Sequence, residues 1–280
     1  MTGPLDGVVI VSLAVNLPGP YAAERLTAMG ATVIKIEPPS GDPLHHVAPE
    51  LFRKLSVGQD IRTVDLKNDD GRQDLEDLLA SSDVFITAMR PAALCRLGLD
   101  NAVERHPTLT HIEIIGYDGA NSERAGHDLT YQAAYGTLEP TMVPRVPVVD
   151  VLGGEETVSA ALIGVLEVSK GRPGRRHRVV LDNAAKRAAA PTLHGLTGPG
   201  CPLGGADPRY GIYATSDGHV AIAMIEPHFW AAFSAEFGTE AVRENLAGLF
   251  IQRPVGEWLA IADQLDVPIA EVSTTLVPHH

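Results

Sequence analysis

Apolar residues in the first half of the chain fall into short unbroken runs, separated by segments with helical spacing. Positions 8–13 (Val-Val-Ile-Val-Ser-Leu) form the first run. A β-branched run without polar alternation predicts a parallel strand covered on both faces. A turn over 16–20, a helical pattern over 21–29 closed by Gly30, and a second strand at 32–36 stopped by Pro38 and Pro39 complete a βαβ unit. The alternation continues with a strand at 63–66, a helix at 70–80, a strand at 83–87, a helix near 92–97 and a strand at 109–115 ended by Gly116. A long helix over 155–169 follows, because Val158, Ala161, Leu162, Val165 and Leu166 share one face. A strand at 177–181 comes after it. This order predicts an α/β fold with an open, doubly wound sheet, whose ligands sit at the carboxyl ends of the strands.

The pattern then changes. An alanine-rich stretch at 184–190 and a Gly/Pro-rich one at 197–205 mark a domain boundary, giving a large domain over 1–200 and a small α+β domain over 201–280. In the small domain, apolar runs at 210–215 and 219–224 flank Ser216-Asp217-Gly218, a hairpin signal. Helices are predicted at 229–237 and around 257–265.

Composition narrows the function. With 280 residues and 45% hydrophobic content, the chain can bury one large core or two moderate ones. A net charge of −13 argues against a nucleic-acid surface. Lys170, Arg172, Arg175, Arg176 and Arg178 gather in one run, which reads first as a solvated turn and second as an anion-docking site. Cys95 and Cys201 lie far apart without metal or redox spacing, as in a reduced protein. No stretch approaches the ~20 apolar residues of a membrane helix, and the start lacks a basic n-region. The expectation is a soluble, cytoplasmic protein with no membrane or nucleic-acid partner and no metal.

The candidate chemistry centres on Gly126-His127-Asp128-Leu129-Thr130-Tyr131 and on Asp150, which follows the apolar residues Val146, Val148 and Val149. A histidine and a carboxylate flanking one site suit a base on one face of a carbon and an acid on the other, or a carboxylate nucleophile with a histidine helper. His127 alone reads equally well as structural, with Asp128 beside it as a cap. Asp150 reads as the end of a strand and the N-cap of the long helix, where unpaired amides and the dipole favour a carboxylate. The same amides can hold an enolate or tetrahedral oxygen. Gly153 and Gly154 would let a ligand approach the backbone. Glu226, before Pro227, either begins a helix or orients a histidine. Pro18-Gly19-Pro20 at the first βα turn lacks the glycine spacing of a dinucleotide fingerprint, so NAD is not expected.

Several segments together carry a resemblance: Pro4-Leu5-Asp6-Gly7, Pro18-Gly19-Pro20-Tyr21-Ala22, the stretch from Met29 to Pro39, Gly41-Asp42-Pro43-Leu44, Arg90-Pro91, Gly126 to Tyr131, Asp150, Leu203 to Tyr210 and Glu226-Pro227-His228-Phe229. On these the chain resembles the family III CoA-transferases, a group that includes formyl-CoA and carnitine CoA-transferases and alpha-methylacyl-CoA racemase. The Gly-His-Asp and Glu-Pro segments look more like the racemase branch. The resemblance implies a Rossmann-like large domain with a small domain in an interlocked homodimer. It implies His127 and Asp150 as an acid–base pair supported by Glu226. It implies an acyl-CoA substrate held around Arg90, Tyr131, Pro18, Gly19, Gly153 and Gly154, with CoA as part of the substrate and no separate cofactor. The chain departs from the pattern in its shorter length, in His45 where arginine is usual, and in the less cationic stretch 55–62. The reaction expected first is 1,1-proton transfer at the α-carbon of a 2-methylacyl-CoA. Two alternatives stand beside it: CoA transfer through an aspartyl-CoA thioester on Asp150, and a non-catalytic subunit of a heteromeric CoA-transferase.

Overall fold

A computed structural model describes residues 3–273, so the outer limits of the sequence-based domains, at 1 and 280, lie outside the described residues. The chain divides between Ala189 and Ala190 into two compact units. The first alternates strands and helices in the order β1 (Val9–Ser12), α1 (Pro18–Ala28), β2 (Thr32–Glu37), α2 (Pro43–Val47), α3 (Pro49–Leu55), β3 (Asp60–Thr63), α4 (Asp69–Leu79), β4 (Val84–Thr87), α5 (Pro91–Arg96), α6 (Ala102–Arg105), β5 (Thr110–Ile115), α7 (Asp128–Ala134), α8 (Val148–Ser169), β6 (Arg176–Val180) and α9 (Leu181–Ala188). The strands form one parallel sheet in the order β3-β2-β1-β4-β5-β6. The chain winds outward in both directions from the β1/β4 junction, the arrangement of a doubly wound nucleotide-binding sheet. Both faces are covered. Ile10, Val33, Ile86 and Ile112 pack with α1, α8 and α9 on one side, while Val11, Ile34, Phe85 and Leu109 pack with α4 and α5 on the other. The apolar runs of the sequence are unbroken for this reason: successive side chains enter opposite faces, and both are buried.

Several elements begin elsewhere than the pattern predicts. Helix α1 starts at Pro18, inside the expected turn, because prolines at its first and third positions give up only amides that have no intrahelical partner. Strand β3 lies at Asp60–Thr63 instead of 63–66. It is an edge strand exposed along its length, so no buried face marks its register; the Val64 N–H still reaches Glu37 O at 2.9 Å. Helix α8 starts at Val148, seven positions before the predicted 155, and takes up Val148 and Val149, which read as a strand end. The unit boundary falls within the alanine-rich stretch, ahead of the Gly/Pro-rich one.

The basic run links α8 to β6 as a turn, and each of its four arginines faces a carboxylate. Glu167 lies 2.8 Å from Arg175 and 3.4 Å from Arg172, and Glu113 lies 3.2 Å from Arg176 and 2.9 Å from Arg178. The turn reading holds; an anion arriving there would compete with carboxylates already in place.

The second unit contains α10 (Ala190–Leu193), β7 (Tyr210–Ala214), β8 (His219–Ala223), α11 (Pro227–Phe237), α12 (Arg243–Phe250), α13 (Val255–Leu265) and β9 (Ile269–Glu271). Its strands form an antiparallel sheet in the order β7-β8-β9. The hairpin at 216–218 is present as predicted, with Thr215 N–H donating to Gly218 O at 2.9 Å. Trp258 anchors the core: it is fully buried against Phe233 and Phe250, and its Nε1–H donates to Phe250 O at 2.9 Å. Among the described residues no helix is long and apolar enough to cross a membrane.

Candidate active site

A cavity of about 230 Å³ opens where the winding of the sheet reverses. Its walls come from the carboxyl ends of three adjacent strands: Val15 and Asn16 after β1, Ala88, Met89 and Arg90 after β4, and Gly116 after β5. His127, Tyr131 and Asp150 complete it from the first turns of α7 and α8. Arg90, the residue before α5, and Pro18, the first of α1, also line it. Five of the residues singled out from the sequence therefore meet in one place.

His127 is the N-cap of α7 in extended conformation, and its own N–H donates to Thr130 Oγ1 at 3.0 Å. No cap bond uses the imidazole, which stands exposed at the cavity. Asp150 sits in the first turn of α8 and is not its N-cap; that position is Pro147. The cap bonds come instead from Asp128, which accepts from the amides of Val149 at 2.8 Å and Asp150 at 3.2 Å. Burial, and after it the charge of Asp128, push the Asp150 carboxyl up from 3.8 to about 7. Asp150 therefore exchanges a proton near neutral pH, where a group that must both take and give one works best.

Tyr131 is fully buried apart from its place in the cavity wall. Burial, then Tyr117 and the carboxylates of Asp150 and Asp182, push its phenol up to about 12 against the pull of Arg90. It stays a donor across the working pH range. Its hydroxyl lies against Gly116 and Gly126, where any Cβ would collide with it. Gly126→Ala puts a carbon 2.5 Å from that hydroxyl. Tyr131 is held edge-on by Tyr117 at 5.3 Å and cannot retreat freely. The variant is expected to lose about 1–3 kcal/mol of stability by overpacking, read as a lower urea midpoint; an unchanged midpoint would show that Tyr131 swings aside without cost.

Gly19, Gly153 and Gly154, expected beside a ligand, face the protein. A Cβ at Gly19 would strike Ala14, one at Gly153 would strike Leu181, and one at Gly154 would sit 2.9 Å from Tyr21 Cβ. The last two let α8 lie close against α9 and α1, a packing reason for glycine. Glu226 belongs to the second unit, where it is the exposed residue before Pro227 at the start of α11.

Other cavity residues were not apparent from the sequence. Arg124 lines the wall with its guanidinium 5.1 Å from the Tyr117 ring. Asn16 adopts a left-handed backbone, φ 69°, with its N–H on Asp42 Oδ1 at 3.2 Å; an asparagine in a turn tolerates that geometry, and this was the available signal. A second cavity of about 540 Å³ adjoins the first through the shared residues Val15, Ala88 and Met89. It is more apolar, with Leu13, Ile36, Val64, Leu66 and Leu97 in its lining. Among the described residues no three His, Cys, Asp or Glu side chains are grouped to hold a metal ion.

Comparison with known proteins agrees with the architecture. The model of CoA-transferase family III matches residues 5–276. The chain is 30% identical over 277 residues to the cinnamoyl-CoA:phenyllactate CoA-transferase of Clostridium sporogenes, covering 88% of this chain and 67% of that one. It is 25% identical over 308 residues to the alpha-methylacyl-CoA racemase of Mus musculus, covering 96% and 78%. A solved structure of a hypothetical protein from Mycobacterium tuberculosis superposes with a TM-score of 0.84 at 23% identity, over 98% of this chain and 85% of that one; at that identity the likeness speaks for the fold.

Proposed function

Because this chain belongs to CoA-transferase family III, we propose that it binds an acyl-CoA thioester and moves the proton on the carbon next to the thioester carbonyl, inverting a 2-methylacyl group. The observation that carries this reading is one cavity presenting an exposed imidazole, His127, and a carboxyl that titrates near 7, Asp150. An α-proton of a thioester is weakly acidic, and its removal becomes feasible when fixed donors meet the enolate oxygen. Neutral His127 takes the proton from one configuration while protonated Asp150 delivers one to the opposite face; the other configuration uses the pair in reverse. Tyr131, protonated up to about 12, and Arg90 and Arg124 supply donors in the same wall. The adjoining apolar cavity takes part of the CoA moiety, which comes with the substrate; no separate cofactor or metal enters the step. In this reading the chain works as a homodimer, as the family resemblance implies, for which the exposed apolar row Leu162, Ile163 and Leu166 on α8 is the supporting feature.

CoA transfer through Asp150 is the second reading, and its support is the CoA-transferase name of the relative at 30% identity. There Asp150 must attack as the anion, which a carboxyl titrating near 7 supplies only in part at neutral pH. The test is incubation of one enantiomer of a 2-methylacyl-CoA in deuterated water. The expected result is deuterium at the α-position with inversion of configuration. Absence of exchange, with acyl groups moving to a free carboxylic acid, would replace proton transfer by CoA transfer.

A further inference from the structure

Helix α8 starts without a capping side chain of its own, since the residue before it is Pro147. The amides of Val149 and Asp150 are nevertheless satisfied, both by Oδ1 of Asp128, at 2.8 and 3.2 Å. This is N-cap bonding supplied from a different helix. The other oxygen of Asp128 accepts from Gln132 Nε2 at 2.6 Å, so the carboxylate is buried with both oxygens bonded. Asp128 is also the first residue of α7, directly after His127. One side chain thus ties together the two helix starts that present the histidine and the carboxyl to the cavity.

We propose that Asp128 is a positioning residue for the acid–base pair: its carboxylate caps α8 from α7, holds His127 and Asp150 in one frame, and sets a fixed negative charge against the Asp150 carboxyl. The proposal rests on the reading of Asp150 as a proton-transfer group. The electrostatics run the same way. Helix α8 presents its positive end to Asp150, and Arg90 and Arg124 share the cavity with it; each favours the ionised form. His127 and Tyr131 face the cavity from α7, Pro18 is the cavity residue from α1, and Asp182 of α9 adds a negative charge near Tyr131. Burial, and after it Asp128, raise the Asp150 carboxyl all the same. A carboxyl raised in the folded state makes folding favour its protonated form. The stability this contributes is complete below about 3.8 and is lost as pH rises through about 7.

Asp128→Asn keeps an acceptor for the two amides and removes the charge; Asp128→Ala removes both. The readout is the titration of Asp150 in the full chain by carbon-13 NMR of labelled aspartate, with Asp150→Asn identifying its signal. In Asp128→Asn the midpoint is expected to fall by about one pH unit, the pH profile of inversion is expected to move with it, and the unfolding midpoint should fall by less than in Asp128→Ala, because Gln132 can turn its amide oxygen toward the new Nδ2. Asp128→Ala is expected to lower the unfolding midpoint as well. An Asp150 titration unmoved in Asp128→Asn overturns the charge role, and this variant decides the point even if Asp128→Ala fails to fold. An Asp128→Ala protein as stable as the parent overturns the cap. The NMR titration needs no turnover, so failure of every acyl-CoA to exchange would sink the proton-transfer reading separately.

Discussion

Asp150→Asn and His127→Ala are each expected to abolish inversion at the α-carbon of a 2-methylacyl-CoA, lowering its rate by about 10²–10⁴. Inversion in either direction needs one group to take a proton and the other to give one. Loss of either partner therefore stops both directions equally, although each direction begins on a different residue. What survives is informative. The histidine left in Asp150→Asn can still remove a proton from its own side and return one there, giving deuterium uptake on one enantiomer with retention. In His127→Ala the same residual exchange is expected on the opposite enantiomer. Chiral analysis together with proton NMR in deuterated water reads both quantities. CoA transfer makes a different forecast: Asp150→Asn stops it because the nucleophile is gone, while His127→Ala leaves it largely intact. Equal loss of inversion in the two variants, with opposite residual exchange, separates the readings in one experiment.

Much of the arrangement behind this experiment was legible in the chain, and the exceptions share a cause. The strands β1, β2, β4 and β5 stood out because parallel strands covered on both faces are mostly apolar, with Lys35, Glu37, His111 and Glu113 among the buried exceptions, and their order placed the site at their carboxyl ends. His127, Tyr131, Arg90, Pro18 and Asp150 do line one cavity. What could not be read is nonlocal. The start of α8 was misplaced because its cap lies on Asp128 in another helix, so the local signal at Pro147 to Asp150 resembled a strand end. Gly153 and Gly154 signal close approach in any sequence, but only the fold shows that Leu181 and Tyr21 are groups that approach them. The exposed β3 offered no buried face to set its register. Lys35 gave no signal either, since a lone lysine inside an apolar run reads as an interruption.

That lysine carries the largest expected effect on stability. Lys35 lies on β2 and is 1% exposed. Its ammonium is 2.6 Å from Asp42 Oδ2 and 2.9 Å from Glu37 Oε1, and stands 4.6 Å from the Phe52 ring centre. Both carboxylates are buried, Asp42 completely. Lys35→Ala leaves two buried carboxylates facing each other without their cation, and breaking a buried pair in this way costs about 3–5 kcal/mol. Asp42 extends the damage toward the cavity, because its other oxygen caps α2 through Leu44 N–H at 2.9 Å and holds Asn16 N–H at 3.2 Å. Loss of its partner should therefore loosen the turn after β1 and weaken binding of an acyl-CoA along with the fold. Both tryptophans, Trp230 and Trp258, belong to the second unit, so far-ultraviolet circular dichroism in urea, not tryptophan fluorescence, reads the parallel sheet. Lys54→Ala, on the exposed side of α3, is the control and should stay within about 0.5 kcal/mol of the parent. A Lys35→Ala midpoint equal to that of the control would mean that Asp42 and Glu37 are accommodated without their cation at no cost; the expected large drop would make this charge cluster the anchor of the β1–α1 turn and of the cavity wall it forms.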